Sequence, residues 1–177
     1  GGCYQNHDIL SFKYDAGETQ IYSYECSEKE VYVPSKSTMF EQIDVKNDAA
    51  IKSSIIALNK DVSNSIGSVW TKEPIDIFHG FESFFSFSIE SNTQDTSNAN
   101  NISGGGFALV IQNNNSTKSG DGNIGYGKLT NAVAIEFDLK KDIGENDPSN
   151  SHIAVQIPQT GSLNSTHAKE NCLGIAY

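Results

Sequence analysis

Along most of the chain, hydrophobic residues recur at every second position. In residues 81–89 (Phe-Glu-Ser-Phe-Phe-Ser-Phe-Ser-Ile) one face collects Phe81, Phe85, Phe87 and Ile89, while Glu82, Ser86 and Ser88 fall on the other. That is the period of a half-buried strand. Residues 107–112, 132–138 and 152–157 repeat it. Residues 49–58 do so less cleanly, and their Ala-Ile-Lys-Ser-Ser-Ile-Ile core fits either a strand or a short helix. Polar turn tracts at 91–103, 113–122 and 142–151 separate the runs. Short strands punctuated in this way predict an all-β chain folded as an antiparallel β-sandwich.

Length and charge narrow the picture. A chain of 177 residues is long enough for one domain with a hydrophobic core. The net charge is -10, and all 12 basic residues are lysine, with no arginine. Nucleic acid and anionic membrane surfaces call for a cationic footprint, which this balance lacks. The longest unbroken apolar run, residues 107–111, is far short of a bilayer span. The chain opens on Gly1-Gly2, without a methionine or an apolar leader, so the expectation is a fragment or a chain whose targeting peptide has been removed. Glycosylation acceptor triplets begin at Asn101, Asn114, Asn115 and Asn164. Cys3, Cys26 and Cys172 are disulfide candidates, and any single bridge leaves one thiol over. Together these features point to a secreted, extracellular glycoprotein.

The candidate chemistry sits in residues 134–155, AIEFDLKKDIGENDPSNSHIAV. Ile135 and Phe137 share one face of a strand, and Glu136 and Asp138 share the other, roughly 7 Å apart and pointing away from the core. Beyond the loop, Ile153 and Val155 are apolar, which sends His152 to the polar face. The loop can bring Asp142 and Asp147 between the two strand ends. Carboxylates at such range repel one another, and a divalent cation relieves this. Oxygen-rich sets suit Ca²⁺, and the histidine admits a transition ion such as Mn²⁺. Spacing alone leaves a second reading open, a solvated acidic loop with a surface histidine.

This stretch resembles the metal-binding segment of the legume-type (L-type) lectins. There a strand ending Glu-x-Asp runs into a loop with an Asn, then Asp-Pro, then His-Ile. Here Glu136, Asp138, Asp147-Pro148 and His152-Ile153 stand at that spacing. The resemblance continues through Val69-Trp70-Thr71-Lys72-Glu73-Pro74-Ile75, residues 81–89, Gly106-Phe107-Ala108-Leu109-Val110-Ile111, Gly125-Tyr126 and Asn131-Ala132-Val133-Ala134-Ile135, and covers residues 38–177. It implies a concanavalin-like jelly-roll sandwich with two adjacent, non-catalytic ions that hold sugar-binding loops. One is Mn²⁺, or another transition metal ion, bound by Glu136, Asp138, Asp147 and His152. The other is Ca²⁺, bound by Asp138, Asp142, Asp147 and the carbonyl of Lys140. The implied partners are glycans or glycoproteins. The implied pocket is formed around Gly105, Gly122 and Asp142, with Gly2 and Tyr4.

The chain departs from the family's pattern in two ways. The family's pocket uses an Asp where this chain has Gly105, and an Asn where it has Asp142. A glycine offers no acceptor for a hydroxyl, and an ionised Asp can ligate calcium but cannot donate a hydrogen bond. The order of the chain differs as well. Residues 1–15 resemble the family's closing strand, yet they come first, followed by a connecting segment at 16–37, and the chain ends before the family's C-terminal strands. The alternative expectation is therefore a structural or adhesive subunit that self-associates into an extracellular filament or belongs to a tandem array. Such a subunit would be assembled by strand donation, with the sugar site lost.

An enzyme is not expected. Related sandwich hydrolases carry a third carboxylate two or three residues beyond Glu-x-Asp, where this chain has Lys140 and Lys141, so a paired acid and nucleophile is missing. His7, His79 and His167 are isolated in sequence and read as surface or structural residues. Trp70 and the phenylalanines of 81–89 read as core.

Overall fold

The computed structural model describes residues 5–16, 40–60, 62, 64–78, 80–91, 105–114, 124–158, 161–168 and 170–177, with only the backbone described at 5–16, 90 and 91. Among the described residues ten strands carry the fold: β1 (Gln5–Ala16), β2 (Ile43–Asn47), β3 (Ala50–Lys52), β4 (Ile55–Ala57), β5 (Gly67–Thr71), β6 (Phe81–Ser91), β7 (Gly106–Gln112), β8 (Ala132–Asp138), β9 (His152–Gln156) and β10 (Cys172–Ala176). One sheet runs β3-β4-β1-β6 and a second runs β10-β9-β8-β7, while β2 and β5 pair separately. Every pairing is antiparallel. The four runs of two-residue period are strands, as predicted. Residues 49–58 form neither one strand nor a helix. Ser53 takes a left-handed conformation (φ 56°) and folds the run into the β3–β4 hairpin.

An aromatic cluster joins the two four-stranded sheets. Phe85 and Phe87 of β6 meet Phe107 of β7 and Phe137 of β8 edge to face, with ring centroids 4.7–6.3 Å apart. Phe107 and Phe137 stack at 4.6 Å. Alternation dictates this arrangement, because the inward positions of facing strands must fill the gap between sheets. A second apolar cluster lies on the opposite face of β8. There Tyr126, Leu129 and Leu163, from segments outside the strands, cover Ala132 and Ala134, with Trp70, Ala108, Val110 and Ile124 packed around them.

β1 lies between β4 and β6 of its own chain, paired with β6 from Gln5–Ser91 to Ala16–Phe81 and shifted in register at Ile9/Ser11. Apart from Ala16, the connecting segment expected at 16–37 falls outside the described residues. Among the described residues no helix is long and apolar enough to cross a membrane.

Candidate metal centre

β8 and β9 set Asp138 opposite His152, Glu136 opposite Ala154 and Ala134 opposite Gln156. Cross-strand partners project to one side, so Glu136, Asp138, His152 and Gln156 share a face with Ala132, Ala134 and Ala154. The expectation that the carboxylates point away from the core needs correction. They do leave the gap between sheets, but they enter the second cluster, and Glu136, Asp138 and His152 are all buried. Alternation assigns side chains to a face without revealing that loops cover that face.

Glu136 is 1 % exposed. The Tyr126 hydroxyl donates to its Oε2, and Gln156 Nε2 donates to Oε1 at 3.2 Å. His152 Nε2 lies 3.4 Å from Oε1, and His167 Nε2 contacts the same oxygen. Burial, with the Glu136 charge adding to it, raises the Tyr126 pKa far above its ordinary value, so the phenol remains a donor. Asp138 Oδ1 accepts from Lys140 N at 2.8 Å. Burial pushes the Asp138 carboxyl up to about 7, and the neighbouring Asp147 and Glu136 charges push the same way.

Asp147 arrives through a short 3-10 turn at Ile143–Glu145. Asp142 caps that turn by accepting from Gly144 N at 2.9 Å, and Asn146 ends it in the left-handed region at φ 59°. The Asp142 N–H donates to Asp147 Oδ2. Asp147 Oδ1 lies 3.0 Å from His167 Nδ1, without the alignment of a hydrogen bond.

Two donor sets result, each with its atoms within 4.8 Å of one another: Glu136, His152 and His167, and Asp138, Asp147 and His152. Asp142 belongs to neither, and the Lys140 side chain is exposed. The sets fit divalent ions on two counts. Three buried carboxylates gather beside two imidazoles, a charge that a cation offsets. In addition, Asp147 Oδ1, His152 Nδ1 and His167 Nδ1 are buried without a hydrogen-bond partner. Carboxylate oxygen suits Ca²⁺, and imidazole suits a transition ion.

His167 was not expected here. It follows a polar Asn-Ser-Thr tract with no alternation, and only tertiary contacts bring it in. Its N–H donates to Glu145 O at 2.8 Å, which ties the segment to the 3-10 turn.

Around the centre, Gly105 is half-buried and its carbonyl accepts from Leu139 N at 3.0 Å. Gly106, opposite Asp138, sits at φ 136°, and an added Cβ would lie 2.1 Å from the Phe137 carbonyl oxygen. Only glycine fits there. Gly2, Tyr4 and Gly122 lie outside the described residues, as do Cys3, Cys26, His79, Asn101 and Asn115. Asn114 and Asn164 are exposed; Asn114 donates to Thr130 Oγ1, and Asn164 accepts from Thr166 N. Cys172 is half-buried and unbridged among the described residues. Trp70 packs against the second cluster, as expected of a core residue, whereas Phe81 and Phe84, expected in the core with the rest of their strand, are exposed.

Residues 35–176 match the family model described as the legume lectin domain. A curated relative, the "Probable L-type lectin-domain containing receptor kinase S.7" of Arabidopsis thaliana, is 26% identical over 149 residues. The match takes in 74% of this chain and 21% of that protein, so the chain spans about a fifth of its relative's length.

Proposed function

Because the chain belongs to the legume lectin domain family, we propose that it binds carbohydrate without catalysis, through loops held by divalent ions at the ends of β8 and β9. The observation that carries this reading is the buried set of Glu136, Asp138, Asp147 and His152, with its orphaned polar atoms. Glu136, Asp138, Asp147 and His152 would hold the transition ion. Asp138, Asp147, Asp142 and the Lys140 carbonyl would hold Ca²⁺. When bound, the ions supply a fixed positive charge. The chain does the rest: the Asp142 N–H donates to Asp147, and the Lys140 N–H donates to Asp138, so each carboxylate is tied to the loop that follows β8.

The pocket beside it is an altered one. Gly105 presents a backbone where a carboxylate would accept sugar hydroxyls, and Asp142 presents an acceptor where an amide would donate. A ligand that suits it would donate to Asp142 through its hydroxyls. Glycosylation and an extracellular setting belong to the same proposal, supported by the exposed acceptors Asn114 and Asn164. The relative's name includes a kinase; the matched span is too small a share of that protein to carry the activity here.

A glycan array run with Ca²⁺ and Mn²⁺, and again with chelator, tests the reading. Retention that is lost on chelation is the expected result, and no retention on any glycan in the presence of ions would overturn it.

A further inference from the structure

His167 lies in a position that the sequence pattern does not assign, and its surroundings are those of a ligand. Four contacts position its segment: Leu163 N donates to Leu129 O at 2.7 Å, Lys128 N donates to Leu163 O at 2.8 Å, His167 N donates to Glu145 O at 2.8 Å, and the buried Asn171 donates to Thr166 Oγ1 at 3.3 Å. The imidazole so placed is 2 % exposed. Its Nε2 faces His152 Nε2 at 2.8 Å and contacts Glu136 Oε1, and the two rings meet edge to face at 4.6 Å.

Hydrogen bonding alone does not satisfy this group. Glu136 Oε1 is faced by three nitrogens, those of Gln156, His152 and His167. Two neutral imidazoles that oppose Nε2 to Nε2 can share only one proton between them, and both Nδ1 atoms are buried without a hydrogen bond. If both Nε2 atoms instead offer lone pairs, the protons move to the Nδ1 atoms, and that of His167 then lies 3.0 Å from Asp147 Oδ1. A carboxylate beside the outer nitrogen is how ligating histidines are held. The 3.4 Å between His152 Nε2 and Glu136 Oε1 matches the roughly 3.3 Å edge of a tetrahedron built on zinc-ligand bonds of about 2.05 Å, while the two separations made by His167 Nε2 are shorter.

We propose that His167 is a further ligand to the transition ion, added beside Glu136 and His152 to the set given above, so that the site carries two histidines and prefers Zn²⁺ to Mn²⁺ more strongly than a one-histidine site would. The proposal rests on reading this cluster as an ion site. A second imidazole adds nitrogen donation that favours zinc, later in the divalent series, over manganese.

The test is competition binding of Zn²⁺ against Mn²⁺ to the whole chain and to His167→Gln, with Ca²⁺ held constant. The zinc-to-manganese affinity ratio is expected to fall by about 10–100-fold in the variant, at least what loss of a supporting residue costs. General damage to the loop would lower both affinities together, and a parallel loss or an unchanged ratio overturns the proposal. X-ray absorption on the zinc-loaded unmodified chain needs no variant. Two imidazoles support the assignment, and one overturns it. Failure to bind any ion would remove the centre altogether. Zinc bound through two imidazoles without glycan retention would count against the sugar reading alone.

Discussion

The two faces of the sheet β10-β9-β8-β7 invert the usual expectation about burial. One carries Glu136, Asp138, His152 and Gln156, all buried, while the other carries Ile153, which is 42 % exposed. The same strands therefore bury their charges and leave an aliphatic side chain partly in contact with solvent. Polar groups tolerate burial where partners and counter-charge are supplied. Apolar groups are covered only where an opposing surface reaches them, as the phenylalanines of β6 reach Phe107 and Phe137.

The strongest way to break that inversion is to remove its central charge. Glu136→Ala leaves the Tyr126 hydroxyl, the Gln156 amide and His167 facing an empty space. Deleting one partner from a buried charged set costs about 3–5 kcal/mol. Urea unfolding with divalent ions present should show a loss of that size, together with the loss of stabilisation by Mn²⁺ or Zn²⁺. A loss below about 1 kcal/mol would mean that the face is wetter than its burial implies.

How much of this was legible in the sequence depends on what alternation can and cannot say. β8 is Ala132–Asp138 as its period predicts, and Glu136, Asp138 and His152 share a face because period two leaves no other arrangement. Asp147 reaches the cluster, and its Asp-Pro and His-Ile context points there. The covering of that face was not legible, because Tyr126, Leu129 and Leu163 come from loops whose course depends on long-range hydrogen bonds such as Lys128 to Leu163. His167 was missed for the same reason. The hairpin in residues 49–58 turns on the left-handed Ser53, and the pattern there cannot show a serine adopting φ 56°. The expectation of strand donation concerned residues 1–15; β1 (Gln5–Ala16) pairs with β4 and β6 of its own chain.

Chelation sharpens the comparison at a smaller scale. At ion concentrations about 100-fold above Kd, removing the ions costs about 2.7 kcal/mol for each site. The effect has a pH signature. The folded Asp138 carboxyl sits at about 7, above the roughly 3.9 of an unfolded chain. Without ions, the folded state takes up a proton between those values, so stability rises as pH falls from above 7 towards 4. With ions bound, the Asp138 carboxylate stays deprotonated in the folded chain as it is in the unfolded one, so its contribution to stability is nearly flat over the same interval. Thermal melts with and without chelator should therefore converge between pH 7.5 and pH 5. Parallel curves would exclude Asp138 from the centre.

The smallest effect belongs to the solvent side of the aromatic strand. Phe84 is 60 % exposed, while Phe85 and Phe87 beside it join the ring cluster with Phe107 and Phe137. If the neighbours carry the contact between sheets, Phe84→Ser removes little buried area and should change stability by no more than about 0.5 kcal/mol, the usual range for surface substitutions. Denaturant midpoints with ions present provide the measurement. A loss of about 2 kcal/mol or more would show that Phe84 is covered in solution, because only a buried ring costs that much when its apolar area is returned to water.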